Sequence, residues 1–383
     1  MKIRLLAASM ALVASTSAVY AVGLDRSGQP IGVLFETGNH LEFRFGYAKP
    51  SVEGEAIPQA GGAAIDNVAD TFSIYSLGLK YEINDQWSVA IIGDEPYGSD
   101  VLYPGSLFST VLGGTGATAD SYAVTALARY KINDNWSVHG GLRYQEISAT
   151  VTLGGSAFNS PQTPLVPSGV NGYLGEFASS GDWGYVVGAA YEIPDIALRV
   201  ALTYNSGTSH KLATTETIRG QQISAPGATT SVDTPESLNL AFQSGIAENT
   251  LLFGNLRYAR YSQTVVAPDG FTGITGTSLT DLEDGYDFEI GVGRRFSEKW
   301  SGSMAIGFST KGEDNLVSPL MPTNGSKHIS FGVKYDVNEQ FAVSGGIRYT
   351  DLGDAISAPS GSAAATFSDN SAISVGLRLA YKF

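Results

Sequence analysis

Apolar and polar residues alternate along most of this chain. Near its end Ile373, Val375, Leu377, Leu379, Tyr381 and Phe383 fall on one side, and Ala372, Ser374, Gly376, Arg378, Ala380 and Lys382 on the other. Ile329, Phe331, Val333, Tyr335 and Val337 oppose His328, Ser330, Gly332, Lys334 and Asp336 in the same way. A period of two places successive side chains on opposite faces of a strand, so each stretch predicts a strand with one apolar face. The strands recur as pairs around short polar turns, as in "LKYEINDQWSVAIIG" from Leu79, "ARYKINDNWSVHGG" from Ala128 and "VKYDVNEQFAVSGG" from Val333. Asn-Asp and Asn-Glu are good turn formers. The pattern predicts fourteen strands, at 39–50, 71–83, 87–98, 121–132, 136–150, 181–193, 197–210, 236–247, 250–264, 283–296, 300–311, 327–337, 341–351 and 371–383.

A water-soluble sandwich would alternate too, but three features favour a membrane barrel. The strands run to about ten residues or more, the length a tilted strand needs to cross a bilayer. Aromatic residues gather beside the short turns: Tyr81 and Trp87, Tyr130 and Trp136, Phe296 and Trp300, Tyr335 and Phe341. Such a girdle marks one membrane interface. Long Gly/Ser/Thr/Ala-rich connections, near 99–120, 152–180, 211–235, 265–281, 313–326 and 352–370, alternate with the short turns. Short turns at one end and long loops at the other are the pattern of outer-membrane barrels. The predicted class is all-β: a fourteen-stranded antiparallel transmembrane β-barrel over 39–383. An interior that wide is not filled by wall side chains alone.

The N-terminus agrees with export. Met1-Lys2-Ile3-Arg4 is basic, Leu5 to Val13 is apolar, and "ASTSAVYA" supplies small residues before a cut after Ala21. Residues 1–21 read as a cleaved signal peptide, too short in its apolar part to anchor the chain. The expected location is the outer membrane of a Gram-negative cell, among lipid and lipopolysaccharide. The 383 residues include no cysteine, so stability must come from packing and hydrogen bonds. A net charge of −14 argues against a nucleic-acid partner.

Residues 22–38, "VGLDRSGQPIGVLFETG", do not alternate. They are either a periplasmic tail or a short plug folded into the lumen. An exposed cluster of Ile31, Val33, Leu34 and Phe35 would be unusual, which favours the plug.

The predicted third strand is broken by Gly93, Asp94, Glu95, Pro96 and Gly98. Proline lacks the donor a ladder needs. Glycines permit a bend, and acids facing lipid are costly. Trp87 to Gly93 alone is too short for a span, so an interrupted strand is preferred over an extracellular turn. Asp94 and Glu95 should then point into the lumen or lie at its rim.

The leader, "GLDRSGQPIGVLFETGNHLEFRFGY", "YEINDQWSVAIIGDEPYGSDVLYP" and the terminal "LRLAYKF" together resemble the FadL/TodX family of outer-membrane transporters. The resemblance covers essentially the whole mature chain. It implies a fourteen-stranded barrel with an N-terminal hatch, and an inward-kinked third strand that opens a gap in the wall. It implies uptake of long-chain fatty acids or other hydrophobic small molecules, which leave sideways into the membrane. Gly93, Asp94, Glu95, Pro96 and Gly98 become the expected lateral gate. The chain departs from the family in lacking an Asn-Pro-Ala start to the hatch, and its pre-barrel segment is short.

The polar faces of the strands carry Lys80, Arg129, Arg143, Arg199, Arg257, Lys334, Arg348 and Arg378 with Glu42, Glu82, Asp287, Glu289 and Asp336. Most should pair into networks that stiffen the barrel. Arg143, Arg257, Arg348 and Arg378 are candidates to hold a ligand carboxylate bidentately. Phe158, Leu165, Val166, Tyr173, Leu174 and Phe177 make the 152–180 connection a candidate extracellular groove.

An enzyme is not expected. His40, His139, His210 and His328 are isolated, without metal-ligand spacing, and no Gly-x-Ser-x-Gly occurs. No metal or cofactor is expected, and the barrel is expected to be a monomer. The expected function is passive transport of hydrophobic compounds, long-chain fatty acids first. The alternatives are aromatic hydrocarbon uptake by the same route, a general porin for small polar solutes, or an adhesin or phage receptor.

Overall fold

The computed structural model of the protein describes residues 24–159 and 169–383. The leader, Val22, Gly23, Leu165 and Val166 lie outside the described residues.

Fourteen antiparallel strands close on themselves. We number them β1 (His40–Ser51), β2 (Phe72–Glu82), β3 (Trp87–Asp94, resuming at Gly98–Leu102), β4 (Gly116–Lys131), β5 (Trp136–Leu153), β6 (Tyr173–Ile193) and β7 (Leu198–Asn205, resuming at Ser209–Ile218). They continue as β8 (Thr229–Asp233, resuming at Ser237–Ala247), β9 (Thr250–Ala259), β10 (Gly285–Arg295), β11 (Trp300–Ser309), β12 (Ser326–Asp336), β13 (Phe341–Leu352) and β14 (Asn370–Lys382). Each pairs with its sequence neighbour, and β1 pairs with β14 from His40↔Lys382 to Ser51↔Ser371. Closure pairs each strand on both sides over most of its length, the condition for strands to cross lipid.

The burial pattern is that of a water-soluble protein turned inside out. On β14 the apolar residues Ile373, Val375 and Leu377 are exposed, whereas Ser374 and Arg378 are buried. Leu142, Ile306, Phe331 and Ile347 likewise face outward. The outward residues therefore form the lipid-facing band. Trp87 rests on Tyr130, Trp136 on Tyr191 and Trp300 on Tyr335, with ring centroids 4.7–4.8 Å apart, beside the short turns. A second aromatic ring includes Tyr75, Tyr122, Tyr144, Trp183 and Tyr286. On β4 and β5 the outward face changes from aromatic to acidic just beyond it, at Asp120 and Glu146. That change marks the outer interface.

Strands β4 to β6 run past this ring, beginning at Gly116, reaching Leu153 and beginning at Tyr173. The extended ends carry loops that pack over the barrel mouth. A small five-stranded sheet, including Gly54–Ala56, Ala355–Ser357 and Ala365–Phe367, lies there. Tyr103, Leu112, Phe158, Tyr173, Phe177, Phe271 and Phe367 join it in one buried apolar cluster. Phe158, Tyr173 and Phe177 are thus part of the core of the loop cap. A short helix, Asp269–Thr275, docks on this cap. Its first free amides, at Gly270 and Phe271, donate to Glu216 (2.9 and 2.7 Å), and Tyr173 Oη donates to the same carboxylate (3.1 Å).

Candidate functional site: an interrupted wall and a filled lumen

The ladder of the wall is interrupted beside β3, as it is over Ala178–Gly184 between β6 and β7. β2 pairs with β3 from Glu82↔Ser88 up to Leu77↔Gly93. Beyond that, Phe72 to Ser76 pair only with β1. The chain of β3 turns inward over Asp94 to Tyr97 and rejoins β4 at Gly98↔Asp120. Higher still, the Ala69↔Val101 bridge and a bond from Asp70 N–H to the Asp100 carbonyl (3.1 Å) reseal the wall. Between these closures lies an opening of about 480 Å³, bordered by Phe72, Glu95, Asp100, Asp120 and Tyr122. Tyr97 sits opposite Ser121, whose Oγ accepts its N–H (2.7 Å) and donates to its carbonyl (2.6 Å). Pro96 is therefore level with Tyr122, within the outer aromatic ring rather than at mid-membrane.

The backbone groups freed by the kink are taken up by the N-terminal segment. Arg26 N–H donates to the Pro96 carbonyl (2.9 Å), and Gly98 N–H donates to the Leu24 carbonyl (2.8 Å), so Asp25 and Tyr97 form a single bridge. Asp94, 2% exposed, accepts the Ser27 hydroxyl at 2.5 Å. Glu95 stays at the opening. Neither Gly93 nor Gly98 has a positive φ. Gly98 is needed for room, because a Cβ there would meet Arg26 Nε at 2.6 Å. The side chain of Tyr97 crosses the lumen to the carbonyl of Pro235 (3.2 Å), where β8 is itself interrupted.

Residues 24–38 occupy the lumen. Val33, Leu34 and Phe35, 2, 0 and 6% exposed, pack on inward residues of the wall such as Ile92, Leu127 and Val186. Ile31 is only partly buried at the edge of this cluster. Arg257 grips Asp25 bidentately (2.7 and 3.0 Å) and also reaches Gln29, Ser237 and Asn239. Arg378 bridges Glu36 (2.9 Å) and Glu42 (2.6 Å). Lys80 Nζ donates to the carbonyls of Glu36 (2.5 Å) and Gly38 (3.2 Å). Buried cations of this kind are tolerated because each is paired.

The four candidate head-group arginines therefore differ. Arg257 and Arg378 hold the N-terminal segment, and Arg348 pairs with Glu289 (2.5 Å). Arg143 donates from Nε to Thr125 (2.9 Å), and its Nη1 is buried without a partner. The structure does not bring the four together around one cavity. Glu36, His40 and Glu42 place ligand atoms within 4.8 Å of one another. Arg378 and Arg44 already supply the cations there.

An apolar cavity of about 90 Å³ lies on the lumenal side of the kink, lined by Leu24, Ile147, Phe177, Leu212, Val232 and Val266. It shares Tyr97, Gly98, Ala119, Ser121 and Ile147 with the wall opening. Its lining contains no Lys or Arg. Arg26 stands at the opening, and burial lowers its pKa from the ordinary value while Asp100 opposes the shift. Arg26, Phe72, Asp100 and Pro235 were not singled out by sequence. Pro235 falls at the end of a predicted connection, where a proline is ordinary, and nothing local marks the others.

A closed barrel with apolar residues outside, a filled lumen and a breach in its wall beside β3 defines an outer-membrane transport barrel. The chain belongs to the family described as outer membrane protein transport protein (OMPP1/FadL/TodX), whose model matches residues 39–383. The family carries hydrophobic compounds across the outer membrane, and the chain is a transport channel, not an enzyme. Its fold is similar to a Pseudomonas aeruginosa FadL homologue (12% identity, 98% of each chain, TM-score 0.73). It is also similar to the Pseudomonas putida toluene transporter TodX (15% identity, 92% of this chain and 91% of that one, TM-score 0.65). The Ralstonia pickettii toluene transporter TbuX is a third (14% identity, 99% of each chain, TM-score 0.65). No curated protein matches the sequence.

Proposed function

We propose that the chain conducts neutral hydrophobic molecules from the cell surface into the outer membrane of a Gram-negative cell, by binding in the lumen and leaving sideways at β3. One observation carries this reading: the apolar cavity and the wall opening adjoin, sharing the backbone of the kink. Each CH₂ favours an apolar environment by roughly 0.8 kcal/mol, so an apolar pocket with a side exit helps such a ligand where a water-filled pore does not. The N-terminal segment acts as a plug below the cavity. It is held by Arg257, Arg378 and Lys80, which argues against a general porin.

Long-chain fatty acids came first by resemblance. The chemistry of the path favours the other class, aromatic or similar uncharged hydrocarbons. The cavity offers a carboxylate no cation, and the opening is bordered by Glu95, Asp100, Asp120 and Glu146 with Arg26 already paired to Asp100. Like charges brought together cost binding energy. The test is uptake of radiolabelled toluene and oleate by cells with and without the protein. Protein-dependent toluene uptake with little for oleate is expected; the reverse preference would return the assignment to fatty acids.

A further inference from the structure

Asp25 and Arg26 are neighbours that do different work. Asp25, fully buried, is anchored on Arg257. The side chain of Arg26 turns the other way, into the unpaired stretch between β2 and β3. Its Nη2 donates to Asp100 Oδ2 on the outer segment of β3 (2.7 Å). Its guanidinium carbon lies over the ring of Phe72, the first residue of β2, 3.3 Å from the centroid. One side chain thus joins two strands that share no backbone bond between the Leu77–Gly93 pair and the Asp70–Asp100 bond above it.

The same side chain borders three separate spaces. These are the wall opening, a cavity of about 160 Å³ around the N-terminal segment, and one of about 130 Å³ under the loops near Met321 and Pro322. Gly98 leaves the room that Arg26 occupies. The Asp100 carboxylate is 30% exposed, whereas that of Asp25 is fully buried. An ion pair with one partly exposed partner is screened more than one buried on both sides. The Arg26 contact is therefore the one that can release while the anchor holds.

We propose that Arg26 is a latch across the side opening: its bridge from Phe72 to Asp100 spans the breach itself, and passage from the lumen through the breach requires the side chain to swing away. This rests on the side-exit reading above.

The test uses whole cells producing the full chain, with N-phenyl-1-naphthylamine as a neutral fluorescent probe and the heat-modifiable gel shift as the check of folding. Arg26→Ala and Asp100→Asn should each raise the initial uptake rate, by about fivefold for loss of one partly exposed pair. The exchange Arg26→Asp with Asp100→Arg should bring the rate back toward that of the original protein. An unchanged or reduced rate in a folded Arg26→Ala barrel overturns the latch. If that variant fails to fold, Asp100→Asn, which leaves the N-terminal segment intact, decides by the same criterion. A barrel with β3 straightened by Pro96→Val and Gly93→Ala separates the two ideas. Full probe uptake there removes the side exit itself, whereas blocked uptake there with no effect at Arg26 removes only the latch.

Discussion

Arg257 shows how much one buried cation does in this lumen. Its Nε, Nη1 and Nη2 bond Asp25, Gln29, Ser237 and Asn239, groups from two parts of the chain, the N-terminal segment and β8. Arg257→Ala would leave the Asp25 carboxylate buried without its counter-charge, a loss of about 3–5 kcal/mol for pairs of this kind. The N-terminal segment should then loosen. The measurement is ion conductance in planar bilayers, with steady steps appearing in the variant and few in the original. Gly98→Ala belongs to the same scale. Its new Cβ would displace Arg26 and crowd the Ala119 carbonyl at 3.2 Å, and through Arg26 it should alter probe uptake in the same direction as Arg26→Ala. Sequence could place Arg257 on an inward face by period alone. It could not show that the arginine is already occupied, because its partner lies 232 positions away.

Among the elements, the strands were legible and their far ends were not. Within the membrane each outward residue meets lipid, so alternation is enforced and easily read. Past the aromatic ring that demand lapses. Strands β4 and β6 there continue through Gly116–Asp120 and Tyr173–Ser180, which composition presented as loop. The kink of β3 was visible in its proline. Its partner, the Leu24–Arg26 backbone, was not, since no local pattern specifies an isolated bridge. The loop helix is a third case: Glu216 is fully buried and fixes it through two amides. Hydrogen bonds to a charged group are worth roughly 1.5–3 kcal/mol. Glu216→Ala should free the 265–281 connection, seen as faster cleavage there in limited proteolysis, while the barrel keeps its heat-modifiable shift. Equal cleavage rates would mean that Phe271 and Leu279 hold the loop without the cap.

At the scale of the whole molecule, three obstructions lie in series: the loop cap, the inward kink with Tyr97 reaching Pro235, and the N-terminal segment below. Among the described residues the breach at β3 opens a space of about 480 Å³ through the wall. Its level, beside Tyr122 and just inside Asp120 and Glu146, would deliver a ligand at the outer interface of the bilayer. The most direct measurement is uptake of a neutral hydrophobic probe by cells producing the β3-straightened barrel, Pro96→Val with Gly93→Ala, verified as folded and present in the outer membrane. The side-exit account predicts uptake no faster than in cells without the protein; uptake at the rate of the original barrel would contradict it.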